Sequence, residues 1–285
     1  MRKSFVFVLP MLAALCLIAG CSKKDASQVV SSGVDSYSAA SSGSDSEADE
    51  EEDLSEYALM NKTWIIATDT VFRPFEYTNE QGEFVGIDVD ILAAVAEDQG
   101  FEYELKSLGW DAAVSSVQVG KSDALIAGAT INQERKDSGW IFSDGYYNAT
   151  QTFVVPADSD VSSYEDLRGK NVAVKNGTAG MAFANGLKAQ YGFTITVFED
   201  SPAMYQDVIV GNSAACCEDT PIMATNIKDG VLEMKIPEGM ESEGAPYGFA
   251  IMNPKNQPLL DMFNEGLSHI RENGKYQEIL DKYLK

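Results

Sequence analysis

Apolar residues along residues 64–128 change spacing repeatedly, from the short runs typical of buried strands to the three- and four-residue spacing of helices. The runs at 64–67 and 123–128 predict strands, and the alternation at 101–105 predicts a half-buried strand. Between them, apolar positions from Ile87 to Val95 predict a helix that Gly100 ends. Asp111 is placed to cap a second helix that ends near Gly120. This β-α-β-α-β order predicts an open α/β sheet, whose ligand crevice lies beyond the carboxyl ends of its strands.

A second alternation of strands and helices begins after Pro156. A cap-like start predicts a short helix at 163–169, and a tight turn at 176–180 leads from a strand into the next helix. The further predicted strands are 171–175, 194–198, 214–217, 232–235 and 244–251, and the further helices are 181–190, 202–210, 221–227, 258–271 and 275–284. The chain after residue 60 therefore has about 225 residues for two modest α/β domains or one large one.

The first 20 residues have the pattern of a signal peptide. Arg2 and Lys3 precede an apolar stretch at 5–17 that is too short for a comfortable membrane span. The next residues, 18–21, resemble a bacterial lipobox that ends in Cys21. That resemblance implies cleavage before Cys21 and attachment of acyl chains, palmitate among them, to its side chain; two or more chains hold a protein stably on a bilayer. The alternative is an ordinary secretory signal followed by a chance cysteine.

Residues 21–60 are rich in serine, alanine, glycine and acids. Between residues 22 and 60, ten acidic residues stand against Lys23 and Lys24, which gives −8 of the chain's formal charge of −23. Such a segment cannot bury enough apolar surface to order itself, so it is predicted to be a disordered acidic tether. The strongly negative balance argues against nucleic acid as a partner.

The cysteines and the single histidine narrow the possible chemistry. Of four cysteines, Cys16 leaves with the signal peptide and Cys21 carries lipid, which leaves Cys216 and Cys217. These two neighbours could form a strained vicinal disulfide, or remain two buried thiols at a strand end. With only His269 and no spaced cysteine–histidine cluster, no metal or cofactor site is expected.

The most informative stretch is the corner at 127–135. The predicted strand ends at Ala127 and Gly128, small residues that leave the backbone accessible. Thr130 follows with a hydroxyl group, and Arg135 comes five positions later. The guanidinium of arginine is a planar fork that binds a carboxylate through two parallel hydrogen bonds. This corner is therefore predicted to grip the α-carboxylate of a free amino acid.

Across residues 64–284 the sequence resembles the polar amino-acid solute-binding proteins of ABC transporters. The matching motifs occur in the family's order and spacing: 74–76 (PFE), 86–90 (GIDVD), 120–124 (GKSDA), 130–135, 142–144 (FSD), 167–170 (LRGK), 177–178 (GT), 219–221 (DTP) and 246–248 (PYG). The resemblance implies the type II periplasmic-binding-protein fold, with two α/β lobes joined by two hinge strands and the ligand in the cleft. Lobe 1 is expected at 61–150 and 246–285, and lobe 2 at 151–245.

The family pattern also implies roles at the main-chain end of the ligand. Arg135, Thr130 and Thr178 are expected to hold the α-carboxylate, and the Gly128 carbonyl and Asp219 the α-ammonium. A helix start at Thr178 suits an anion because its N–H groups are free. The alternatives are a surface arginine at 135, a plain helix cap at 178, and an N-cap role for Asp219.

Four further positions match the part of the family site that faces the ligand side chain. Phe72 and Trp110 are expected to sandwich it, with core packing as the alternative. Asp69 corresponds to a position that contacts a polar or cationic side chain, and Lys175 is expected to face the cleft unless it is a solvated strand end. The run 216–218 departs from the family pattern, and Glu218 is placed to reach the side-chain end of the pocket.

These features together predict a lipid-anchored, extracytoplasmic, monomeric binding subunit of an ABC importer. It would bind one free amino acid, with glutamine or a cationic residue favoured, and deliver it to a permease and ATPase complex. The chain has no Ser/His/Asp or Cys/His arrangement, so an enzyme is not expected. The alternatives are a secreted dehydratase acting on arogenate or prephenate on the same fold, with Glu218 as general acid, and a sensor subunit.

Overall fold

Two five-stranded sheets, each covered by helices, dominate the structure. The computed structural model describes residues 62–285. The predicted signal peptide, the lipidation site at Cys21 and the acidic tether at 21–60 lie outside the described residues.

The first sheet has the strand order β4-β1-β5-β14-β6. Strand β1 runs parallel to β4 and β5, whereas β14 is antiparallel to β5 and β6. The strands are β1 (Thr63–Thr68), β4 (Glu102–Ser107), β5 (Ala124–Leu125), β6 (Ile141–Phe142) and β14 (Ala250–Ile251), with a small hairpin of β2 (Tyr77–Thr78) and β3 (Phe84–Val85) beside it.

Five helices belong to the first sheet: α1 (Ile87–Gln99), α2 (Trp110–Gln118), α3 (Gln133–Asp137), α7 (Gln257–Glu272) and α8 (Lys275–Leu284). The predicted apolar face of α1 is fully buried at Ile87, Ile91 and Val95. It lies in one core cluster with Phe263 and Leu267 of α7. The first helix and the C-terminal helices therefore share one hydrophobic core. A short 3₁₀ turn, Pro254–Asn256, precedes α7.

The second sheet has the order β10-β9-β11-β8-β12, with β10, β9 and β11 parallel and β8 antiparallel to both β11 and β12. Its strands are β8 (Gln151–Pro156), β9 (Asn171–Lys175), β10 (Thr194–Phe198), β11 (Ala215–Asp219) and β12 (Met234–Lys235); its helices are α4 (Ala179–Tyr191), α5 (Ser201–Ile209) and α6 (Thr220–Lys228). The core contains Phe153, Val172 and Val174, and also the two cysteines, which are buried free thiols.

Two chain crossings connect the sheets. Strand β7 (Tyr147–Ala149) leads out of the first sheet and pairs antiparallel with β13 (Ala245–Tyr247), which leads back. The predicted fold of two α/β lobes joined by two hinge strands is confirmed. We refer to the first sheet with its helices as lobe 1 and to the second as lobe 2. The lobe boundaries given above stay a prediction.

Three local predictions were wrong. Asp111 does not cap α2, because Gly109 occupies the cap position and the Asp111 carboxylate instead accepts a hydrogen bond from Asn176 of lobe 2 at 2.8 Å. The run 244–251 is not one strand but two, β13 and β14, which lie in different sheets. The segment 163–169 forms only a 3₁₀ turn, Glu165–Leu167, preceded by bonds from Ser162 and Ser163 to Asp166.

No helix within residues 62–285 combines the length and the apolar character needed to cross a membrane.

Candidate functional site

A small cavity lies between the two lobes and is lined by residues of both. Parallel strands of both lobes end at it, as expected for a ligand crevice in an α/β fold. Asp69 follows β1, Lys175 ends β9 and Asp219 ends β11. The structure brings together all ten predicted ligand-binding residues, with Ala179 and Glu218 in addition: Asp69, Phe72, Trp110, Ala127, Gly128, Thr130, Arg135, Lys175, Thr178 and Asp219.

Arg135 is held in place from several sides. Its backbone N–H donates to the side chain of Asn132, which caps α3. Its Nη1 donates to the Thr130 carbonyl at 2.8 Å, and its guanidinium carbon lies 4.9 Å and 5.1 Å from the rings of Trp110 and Trp140. Burial lowers the pKa of Arg135 to about 10, so the group remains a cation at neutral pH. This fixed, stacked guanidinium is not the solvated surface arginine that the sequence left as an alternative.

The N-terminus of α4 faces the same cavity from lobe 2. Thr178 is its N-cap: Oγ1 accepts from the Met181 N–H and donates to the Lys175 carbonyl. The helix start packs tightly on β11, since a Cβ at Gly180 would lie 2.9 Å from the Cys217 carbonyl oxygen. Thr178 is thus a helix cap and a cavity residue at once, and the free N–H groups of the first turn favour an anion there.

Asp219 is buried at the junction of β11 and α6. It occupies the N-cap position of α6 but makes no side-chain cap bond. Its carboxylate instead accepts a hydrogen bond from the Tyr247 hydroxyl of the hinge strand β13. Burial and the neighbouring Glu218 raise the pKa of Asp219 to about 7, which a nearby cation such as Arg135 counteracts. A ligand ammonium would stabilise the ionised form in the same way.

Lys175 and Asp69 form an ion pair across the cleft, with Nζ 2.5 Å from Oδ2. Lys175 is 3 % exposed, so the alternative of a solvated strand end was wrong. Burial alone would lower the pKa of Lys175, but Asp69 and Glu218 outweigh it and raise that pKa. Lys175 is therefore a cation next to Asp69 in the cavity wall.

Glu218 lines the cavity with its hydrogen bonds already occupied. Its Oε2 accepts from the hydroxyls of Ser201 and Tyr205, each at 2.9 Å, and its Oε1 accepts from the Asp219 N–H at 3.0 Å. These donors hold the carboxylate within lobe 2. They compensate its charge in a position where an unpaired carboxylate would be costly.

Phe72 and Trp110 pack in the core and also lie at the cavity, while their contact with a ligand side chain stays a prediction. Each is buried in a core cluster of lobe 1, and each lines the cavity. The close approach of the Phe72 ring requires a glycine opposite, because a Cβ at Gly128 would lie 2.4 Å from a Phe72 ring carbon. Gly128 also has φ +54°, a conformation that other residues rarely adopt.

Sequence reasoning missed several residues that shape the site. Tyr247 was assigned only to a hinge, although its hydroxyl reaches Asp219. Trp140, five residues after Arg135, was not recognised as its second stacking partner. Ser201 and Tyr205, which bind Glu218, come from a helix that the sequence placed but did not connect with the site. The contacts of Tyr247 and Glu218 join separate elements of the chain, and the five-residue spacing of Arg135 and Trp140 does not by itself indicate a contact.

A family model for bacterial extracellular solute-binding proteins, family 3, matches residues 64–285. The chain belongs to that family. The resemblance that the motifs indicated is thereby confirmed, and amino-acid solute binding is the property that it shares with the relatives below.

Several known proteins are similar to this chain in sequence or in structure. The arginine-binding periplasmic protein of Mannheimia haemolytica is 30 % identical over 238 residues, covering 77 % of this chain and 90 % of the relative. The arginine-, lysine-, histidine-binding protein ArtJ from Geobacillus stearothermophilus is 33 % identical with a TM-score of 0.71, covering 78 % and 95 % of the two chains. An ancestral amino acid-binding protein, a precursor of cyclohexadienyl dehydratase, is 29 % identical with a TM-score of 0.72, covering 81 % and 99 %.

Proposed function

We propose that this protein binds free L-glutamine between its lobes and delivers it to a membrane permease. The observation that carries the proposal is the pairing of charges at both ends of one small cavity. Arg135 and Asp219, which interact through their charges, line the cavity together with the ion pair of Lys175 and Asp69, and we assign the two pairs to its two ends. A zwitterion with a polar side chain matches this distribution of charge.

At the main-chain end, the two lobes contribute opposite charges. The Arg135 guanidinium of lobe 1 binds the α-carboxylate, assisted by Thr130 and by the start of α4 at Thr178. Asp219 of lobe 2 and the Gly128 carbonyl of lobe 1 accept hydrogen bonds from the α-ammonium. Because neither lobe alone pairs both charges, ligand binding favours the closed arrangement of the two lobes over an open one.

At the side-chain end, an ammonium and a carboxylate lie next to each other. A primary amide complements both, since its oxygen accepts from Lys175 and its nitrogen donates to Asp69. A carboxylate in that place would face Asp69, and a cation would face Lys175, so each meets a like charge. Glutamine has an amide at the end of a side chain that Phe72 and Trp110 can enclose.

Arginine is the competing ligand. The cavity wall has three carboxylates, at Asp69, Glu218 and Asp219, against two cations, Arg135 and Lys175, so its formal charge is −1. This balance favours a cationic ligand, and the named relatives bind arginine, lysine or histidine. We rank it second because Glu218 is already paired within lobe 2 and Lys175 occupies the place where a cationic side chain would meet Asp69.

Isothermal titration calorimetry with L-glutamine, L-arginine and L-glutamate distinguishes these ligands. We expect one site per chain with a Kd near the micromolar range for glutamine, about −8 kcal/mol, and at least tenfold weaker binding of the other two. Equal or tighter binding of arginine would reject the glutamine assignment while leaving amino-acid binding intact. Absence of binding by all twenty amino acids in a thermal-shift panel would reject the function itself.

The affinity for glutamine is expected to fall as the solution becomes more acidic. In the ligand-free cavity Asp219 has a pKa of about 7. The ligand ammonium holds Asp219 ionised, so below about pH 7 binding must release a proton and the affinity decreases by up to tenfold per pH unit. Titrations in buffers of different ionisation enthalpy measure that proton release directly. A constant Kd between about pH 5 and 8 with no released proton would contradict the role of Asp219.

We further propose that lipid on Cys21 holds the protein outside the cytoplasm, at the cell membrane, as a monomer beside the permease and ATPase. The support is the lipobox-like run at 18–21. Replacing Cys21 with serine is expected to move the protein from the membrane fraction to the soluble extracytoplasmic fraction and to abolish labelling by a palmitate analogue. Retention of the label in the variant would contradict lipidation at this residue.

A binding role without catalysis is also part of the proposal. The similarity to a dehydratase precursor makes arogenate and prephenate the relevant test compounds. Glu218, the carboxylate that a dehydratase mechanism would use, is held by three donors of lobe 2 rather than directed by an adjacent base. We expect glutamine to be recovered unchanged and neither test compound to be consumed, as measured by proton NMR. Turnover of either compound would establish the enzyme instead.

A further inference from the structure

Two carboxylic acids, Glu76 and Asp88, lie buried in lobe 1 behind the ligand cavity. Both side chains are 0 % exposed. Glu76 ends the loop that follows β1, and Asp88 is the second residue of α1. Each carboxyl is near enough to shift the pKa of the other, although two ionised carboxylates have no proton to share.

Only one of the four carboxylate oxygens of the pair has hydrogen-bond partners among the described residues. Oδ2 of Asp88 accepts from the Gly128 N–H and from the Tyr146 hydroxyl, each at 2.8 Å. Oδ1 of Asp88 and both side-chain oxygens of Glu76 have no partner among the described residues. Burying three unpaired oxygens on two negative charges would be strongly unfavourable. One proton between Glu76 and Oδ1 gives both groups a partner and removes one charge.

We propose that Glu76 and Asp88 share a single proton at neutral pH, and that the resulting pair is a positioning element for Gly128. The neutral Glu76 donates to Asp88, and Asp88, with one negative charge, holds the Gly128 N–H. Gly128 lines the ligand cavity. The Ala127–Gly128 peptide group is thereby held from within lobe 1, directly before the peptide group that carries the Gly128 carbonyl.

The charges that surround the pair favour this protonation. Burial raises the pKa of Glu76 well above its usual value, and Asp88 and Asp69 raise it further, whereas Lys175 across the cleft lowers it. Burial raises the pKa of Asp88 to about 6, against the lowering effect of its bonds from Gly128 and Tyr146. The pKa of Tyr146 is also raised well above its usual value, so its hydroxyl stays a donor.

The connection with ligand affinity rests on the proposed function, in which the Gly128 carbonyl accepts from the α-ammonium. Gly128 needs an external support because its φ of +54° is not stabilised by regular secondary structure. The Asp88 carboxylate provides that support through the Gly128 N–H at 2.8 Å. The proton itself does not depend on which ligand is bound, so it can be tested in the free protein.

Infrared spectroscopy of the ligand-free protein tests the shared proton. At about pH 7 Asp219, whose pKa is about 7, is partly protonated, so the Asp219→Asn variant serves as the background for the measurement. In this background the carbonyl stretch of a protonated carboxylic acid is expected from the pair. Adding Glu76→Gln or Asp88→Asn should abolish this band, because either amide supplies the shared hydrogen covalently. Absence of the band in the Asp219→Asn variant at about pH 7, or its persistence in both amide variants, would overturn the proposal.

Chemical unfolding of the same variants gives an independent readout. A carboxylic acid that stays protonated when folded but ionises when unfolded makes the wild-type protein lose stability as the pH rises above about 4.3. Glu76→Gln lacks this loss of stability. The unfolding constant of the wild-type protein divided by that of Glu76→Gln should therefore increase by up to tenfold for each unit by which the pH rises. A ratio that does not change with pH would contradict a retained proton, whatever the variant does to ligand binding.

Discussion

Replacing Arg135 with methionine is expected to weaken glutamine binding by at least a hundredfold. Methionine keeps apolar contact with Trp110 and Trp140 but leaves the ligand carboxylate without its bidentate cation. Hydrogen bonds to charged groups contribute about 1.5–3 kcal/mol each, and 1.4 kcal/mol corresponds to a factor of ten in Kd, so losing two bonds accounts for this magnitude. Isothermal titration calorimetry measures the change.

Two controls locate the effect at the guanidinium. Arg135→Lys keeps the charge but not the planar fork, so we expect an intermediate loss. Arg271→Met removes an exposed arginine that binds the Gly145 carbonyl outside the cavity, and should leave Kd unchanged. Wild-type affinity in Arg135→Met would exclude Arg135 from the ligand site.

Replacing Lys175 with methionine is expected to invert the ligand preference. Glutamine loses the donor to its amide oxygen, a loss of at least tenfold in affinity. Asp69 loses its ion-pair partner at 2.5 Å and becomes a buried carboxylate without a cation. An arginine side chain supplies the missing positive charge, so arginine should bind the variant more tightly than it binds the wild-type protein. Breaking a buried pair costs about 3–5 kcal/mol, so the free variant should also melt at a lower temperature.

The exposed Lys170 on the same lobe provides the matched control. Lys170→Met changes the same atoms outside the cavity and should preserve both the ligand order and the melting temperature. If Lys175→Met kept its preference for glutamine, the ion pair would not be the specificity element. Loss of both ligands together would indicate a structural role for Lys175 instead.

The helices of the two lobes could be predicted from the sequence because their apolar spacing is local, whereas the division into two lobes came from the family resemblance. Apolar spacing marks α1 and the two C-terminal helices, and each forms the face that the spacing indicates. The interruption of the predicted strand 244–251 at Gly248 and Phe249 was not predicted. A run of residues with strand character does not show that its two halves will join different sheets. Asp111 was misplaced for a similar reason: its partner, Asn176, lies in the other lobe.

The cavity residues were found through motif resemblance, which transfers positions but not interactions. The resemblance placed Lys175 and Asp69 at the cleft, yet only the three-dimensional structure shows that they pair with each other. Tyr247 and Trp140 had no individual signal, because an aromatic residue in a strand or next to one is usually explained by core packing alone. Glu76 and Asp88 belong to the motifs at 74–76 and 86–90. The family resemblance identified these motifs but did not indicate that either acid is buried.

The central claim is that charges from both lobes enclose one zwitterionic amino acid. A crystal structure of the protein with L-glutamine tests it most directly. We expect the ligand carboxylate to contact the Arg135 guanidinium, its ammonium to contact Asp219, and its amide to lie between Lys175 and Asp69, each within about 2.7–3.2 Å. A bound ligand outside this cavity, or one whose carboxylate points away from Arg135, would contradict the account.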